Sequence, residues 1–88
     1  MRISEEKKQK ISEQILAQLY MSNLKPMFTA HIAREIARDE EFVKKLLLNL
    51  KEKGLVTQIK KNPKGIEYLQ RSRWKLSSKA YEAYKNRQ

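Results

Sequence analysis

A mainly helical domain with a small β-ribbon is the fold class this chain predicts, in the order helix, helix, helix, strand, strand, helix. Three observations carry it. Residues 29–56, TAHIAREIARDEEFVKKLLLNLKEKGLV, read as two short helices joined by a tight turn and closed by a glycine stop. Residues 55–61 and 66–76 flank the turn signal Asn62-Pro63-Lys64-Gly65 and read as two strands of a ribbon with a long tip. Apolar residues at a 3.6-residue period mark one helix before this block and one after it.

Each element has its own justification. The first helix is expected over 4–22. Ser4 can cap it, and Glu5 and Glu6 suit the positive end of the helix dipole. Ile11, Ile15, Leu16, Leu19 and Tyr20 form one stripe, and the helix should stop near Ser22-Asn23, ahead of Lys25-Pro26. The second helix, 29–37, would be capped by Thr29, with Ile32, Ala33, Ile36 and Ala37 inward. The small Ala33 would allow a steep, close crossing. The third helix, 39–53, has Asp39 as cap and the stripe Val43, Leu46, Leu47, Leu50, at i, i+3, i+4, i+7. Gly54 supplies the left-handed residue that ends it. In the first strand Leu55 and Ile59 are the apolar residues. In the second, the alternation Arg73/Trp74/Lys75/Leu76 puts Trp74 and Leu76 on one face and the cations on the other. Ser77 can cap a last helix, 77–86, whose apolar side is Ala80, Tyr81, Ala83 and Tyr84.

Composition bounds the chemistry. Residues 1–88 read as one small domain, with no internal repeat or linker. A chain of this size buries only about 60–65% of its unfolded surface. The net charge is +10 and the pI about 10.0, a balance that favours DNA, RNA or an anionic membrane surface as partner. A merely lysine-rich surface is the plainer alternative. The excess is uneven: residues 1–56 carry 11 cations against 8 anions, and residues 57–88 carry 9 against 2. The ribbon and last helix therefore hold most of it. The absence of cysteine excludes a disulfide scaffold and any thiolate zinc or redox site. No apolar run approaches the ~18 residues of a membrane span. The start, MRISEEKKQK, lacks the apolar segment of a secretory signal, so a cytoplasmic protein is expected. His31 is alone, two glycines cannot build a phosphate-cradling loop, and the carboxylates cluster at helix starts. No enzyme activity, metal or cofactor is expected. Trp74, Tyr68, Tyr81 and Tyr84 read as packing residues rather than base-stacking ones, with Tyr81 and Tyr84 facing the first helix or a second chain.

Taken in order, these pieces resemble the winged helix-turn-helix transcription regulators of bacteria and archaea, of the MarR and PadR type and their small archaeal relatives. The residues that carry the resemblance are Ile32-Ala33 opening the second helix, Val43 early in the third, the closing run Leu50-Lys51-Glu52-Lys53-Gly54-Leu55-Val56, and Leu76-Ser77 after the wing. It covers nearly the whole chain. It implies a winged helix-turn-helix that binds double-stranded DNA, with the third helix in the major groove and the wing on the backbone or in a minor groove. Carried over by position, the contacts would be Thr29, with the amides that open the second helix, then Arg38, Glu41, Lys44, Lys45, Leu48 and Lys51. In the wing they would be Lys60, Lys61, Asn62, Lys64, Arg71 and Arg73. A homodimer through the first and last helices is expected, with half-sites ~34 Å apart. No separate ligand domain is expected.

Two departures stand out. Family members usually begin the recognition helix with Ser, Thr, Arg or Gln, where this chain has Asp39, Glu40 and Glu41. The acids would serve the helix dipole, or accept from cytosine N4. Leu48 breaks an otherwise charged face, as a lone exposed residue or as a thymine-methyl or protein contact. Two other readings stay open: an RNA-binding or ribosome-associated winged helix, and a protein-interaction winged helix whose basic surface is incidental.

Overall fold

Helix caps fall where serine and aspartate side chains can meet free amides. The computed structural model describes residues 4–22, 25–59 and 72–86. Its elements are α1 (Glu5–Met21), β1 (Met27–Phe28), α2 (Thr29–Glu35), α3 (Glu40–Glu52), β2 (Val56–Ile59), β3 (Arg73–Leu76) and α4 (Ser78–Asn86). The Ser4 side chain accepts from the Lys7 amide at 3.2 Å, and Asp39 Oδ2 accepts from the Phe42 amide at 3.1 Å. Such caps are worth about 1 kcal/mol each. Ser77 does two jobs. Its Oγ accepts from the Ala80 amide at 3.1 Å and donates to the Gly54 carbonyl at 2.8 Å, which ties the start of α4 to the turn after α3.

β1 was not foreseen. Two residues are too few to show a period, and Lys25-Pro26 reads only as a helix stop. Met27 pairs with Trp74 and Phe28 with Arg73, antiparallel. On the other side of β3, Val56 pairs with Leu76 and Gln58 with Trp74. The expected two-stranded ribbon is therefore a three-stranded sheet in the order β1-β3-β2, with β3 central. Trp74 and Leu76, on the β3 face turned to the core, are fully buried, while Arg73 and Lys75 on its other face are half-buried. The first wing strand starts at Val56 rather than Leu55, because Leu55 belongs to the turn that closes α3: its amide donates to the Leu50 carbonyl at 2.9 Å.

The second helix differs from expectation at both ends. Phe28, not Thr29, is its N-cap residue, with no side-chain cap bond. Thr29 is 7% exposed, and its hydroxyl accepts the Trp74 indole N–H at 2.8 Å. A buried indole needs an acceptor, and Thr29 is it. The helix stops at Glu35, so Ala37 is exposed rather than inward, while Ile36 is half-buried against the core. Ala37 takes a left-handed φ of 55°. The Arg38 amide reaches the Ala33 carbonyl at 2.9 Å and the Ala37 amide the Arg34 carbonyl at 3.2 Å, a Schellman turn. The same turn closes α3, with Gly54 at φ 75°.

The core is assembled from every helix and from the sheet. Ile15 and Leu19 of α1, Ile32 of α2, Val43 and Leu47 of α3, and Trp74 and Leu76 of β3 are its fully buried large side chains. All four residues of the α3 stripe are buried, as its spacing predicts. α4 adds Ala80, and its Tyr81 and Tyr84 pack on Tyr20 of α1, each with ring centroids 5.5 Å apart. Of the two packing options for these tyrosines, the first helix is where they sit.

Candidate nucleic-acid interface

The buried stripe of α3 fixes what its other side can do. With Val43, Leu46, Leu47 and Leu50 turned inward, Glu40, Glu41, Lys44, Lys45, Leu48 and Lys51 are all exposed. Leu48 is 40% exposed, one of the few large apolar side chains on the described surface. At about 100° per residue, Lys44 lies within about 20° of Lys51 around the helix axis, and Lys45 about 100° away from Lys44. The two edges of the helix face different neighbours. Lys51 Nζ donates to Gln58 Oε1 of β2 at 2.9 Å, so the Lys44–Lys51 edge looks toward the wing. Lys45, with Phe42, Asn49 and Lys53, lines a groove against α1 and α4. Lys44 and Lys45 make no ion pair among the described residues, which leaves both ammoniums available to a phosphate or a base edge.

The first turn of α3 is acidic. Asp39 spends a carboxylate oxygen on its cap, and Glu40 and Glu41 stand exposed beside the positive end of the helix dipole. Cationic character on the helix starts one turn later, at Lys44.

The other expected contacts fall in three places. Arg38 is exposed in the turn between α2 and α3. Arg73 is half-buried on β3, on the face opposite Trp74, between Phe28 and Ile59 in the register. Thr29 is corrected: its side chain faces the core and its hydroxyl serves Trp74, so it is not a surface contact. Lys60, Lys61, Asn62, Lys64 and Arg71 lie outside the described residues.

Sequence reasoning missed Gln58 and Ser72. Gln58 Nε2 donates to Ser72 Oγ at 2.7 Å, at the foot of β3. The available signal was parity: Gln58 follows Val56 by two residues, so it shares the inward face of its strand. His31 pairs with Glu35 one turn away on α2, at 3.4 Å. Among the described residues no group of three or more His, Cys, Asp or Glu side chains is placed to hold a metal ion. No described helix is long and apolar enough to cross a membrane.

Four helices, three of them ahead of the second strand, a three-stranded antiparallel sheet with the second and third strands as wing, and a third helix with an exposed outer face define the winged-helix fold, and comparison with solved structures shows the same. A ZitR variant from Lactococcus lactis matches 99% of this chain with a TM-score of 0.72 and 22% identity, over 51% of its own length. A MepR variant from a multidrug-resistant S. aureus clinical isolate matches 88% with a TM-score of 0.71 and 19% identity, over 53% of its length. Both are MarR-family winged-helix transcription regulators. At such identities the likeness is one of fold, and the chain spans about half the length of the solved structures it matches. No protein-family profile and no curated protein matches the chain.

Proposed function

We propose that this chain is a duplex-DNA-binding winged-helix module of a transcription regulator. Its third helix lies in the major groove, with Lys44 and Lys45 at guanine edges or phosphates, Leu48 against a thymine methyl and Glu41 beside cytosine N4. The wing, led by Lys60, Lys61, Asn62 and Lys64 and flanked by Arg71 and Arg73, lies along the backbone, and Arg38 meets a phosphate. The observation that carries this reading is the outer face of α3: no part of the described core covers it, and exposed lysines line both its edges, Lys44 and Lys51 toward the strands of the wing and Lys45 on the other side. The regulators that share the fold support it, and so does the net charge of +10. Two copies joined through α1 and α4 would present two such helices to half-sites ~34 Å apart.

Fluorescence anisotropy of a labelled mixed-sequence duplex tests the reading, with structured RNA as competitor at physiological salt. Duplex binding that RNA displaces poorly is expected. Equal or tighter binding to RNA would overturn it. Sedimentation at micromolar concentration tests the dimer, which a purely monomeric chain would exclude.

A further inference from the structure

One side-chain amide ties the last turn of α3 to the foot of the wing. Lys51 Nζ donates to Gln58 Oε1 at 2.9 Å, and Gln58 Nε2 donates to Ser72 Oγ at 2.7 Å. Chemistry fixes the direction. An ammonium has donors and no acceptor, so the amide oxygen must face Lys51 and the NH2 must face Ser72. Gln58 pairs with Trp74 in the ladder and is half-buried, as is Ser72, whereas Lys51 is exposed. One polar side chain thus joins three elements: the end of α3, the strand that leads into the wing and the strand that leaves it.

We propose that Gln58 is a positioning residue for the nucleic-acid interface, holding the Lys51 ammonium and the base of the wing in one fixed arrangement with α3. The inference rests on the duplex-binding reading. A lysine carries a flexible four-carbon stem and must be ordered when it meets a phosphate. Here the ordering is done beforehand, and two of the three ammonium donors are left for the ligand. The same tether holds α3 against β2 and the foot of β3, so the helix and the described strands of the wing meet the duplex together.

Anisotropy titrations of a labelled mixed-sequence duplex of about two helical turns test this, using the native chain, Gln58→Leu, Gln58→Glu, Lys51→Ala and the Gln58→Leu/Lys51→Ala pair. Gln58→Leu removes both bonds and keeps the Lys51 charge. Its Kd should rise about fivefold with an unchanged salt slope, because no phosphate partner is lost. Gln58→Glu can restore both bonds, since Ser72 can donate to a carboxylate, but it neutralises Lys51. Its salt slope should fall by about one unit. In the Lys51→Ala background, Gln58→Leu should add less than about twofold, which a purely structural role for Gln58 would not produce. Should Gln58→Leu fold poorly by circular dichroism, Ser72→Ala loosens the tether from its other end and should show the same weakening at smaller size. Native-strength binding by a folded tether variant, or a Gln58→Leu penalty undiminished without Lys51, overturns the inference and leaves duplex binding standing. A native chain that ignores duplex at low salt overturns both.

Discussion

The Thr29 hydroxyl and the Trp74 indole sit 45 residues apart in the chain and 2.8 Å apart in the fold. That pair shows why single residues were legible unevenly. Trp74 and Leu76 could be placed inside by parity alone, since alternation is local. The role of Thr29 could not, because a threonine before an amphipathic run reads as a cap until its distant partner is known. Thr29→Val keeps the shape and strands a buried N–H, so urea denaturation should show a loss of about 1–3 kcal/mol. An unchanged midpoint would mean that the hydroxyl does not serve the indole. Leu48 is the opposite case, an apolar side chain facing out. Leu48→Ala should leave stability within about 0.5 kcal/mol. If Leu48 meets a thymine methyl, the native chain should prefer poly(dA-dT) to poly(dA-dU), and the variant should bind the two alike. A preference that survives in Leu48→Ala would place the methyl contact elsewhere.

Elements with a long period or a clear stop were readable to within a residue or two. α1 and α3 have both, as Ser4, Asp39 and Gly54 show. β1 has neither: it is a strand only because β3 is beside it, and pairing between residues 27 and 74 leaves no local mark. The end of α2 was misjudged because its left-handed residue is alanine where glycine is usual. The two Schellman turns make a matched experiment. A side chain in the left-handed region is strained by about 1 kcal/mol, part of which a glycine loses again through the freedom of the unfolded chain. Ala37→Gly should therefore stabilise by about 0.5 kcal/mol. Gly54→Ala should destabilise by a similar amount, about 0.5 kcal/mol, the backbone strain less the freedom the unfolded chain loses, since a Cβ there meets nothing within 4 Å. Thermal melts that move the two variants in the same direction would contradict this account of the turns.

At the scale of the whole molecule, charge and helix placement were legible together: the core stripe of α3 dictates its exposed face, and residue counts put the excess cations late in the chain. The inner support of that face was not legible. Gln58 and Ser72 are ordinary polar residues in sequence, and only the approach of β2 and β3 to α3 gives them partners. The central claim is that α3 and the wing grip a duplex, and it predicts a particular salt dependence. The most direct measurement compares Kd for a labelled duplex across a salt series for the native chain and for Lys44→Ala/Lys45→Ala. Each lysine that neutralises a phosphate contributes about 0.9 to the slope of log K against log salt. The native chain should bind with a steep slope, and the double variant should bind more weakly at every salt, with a slope shallower by up to about 1.8 units. Superimposable lines for the two proteins, or a native chain that leaves the duplex free even at low ionic strength, would contradict the account.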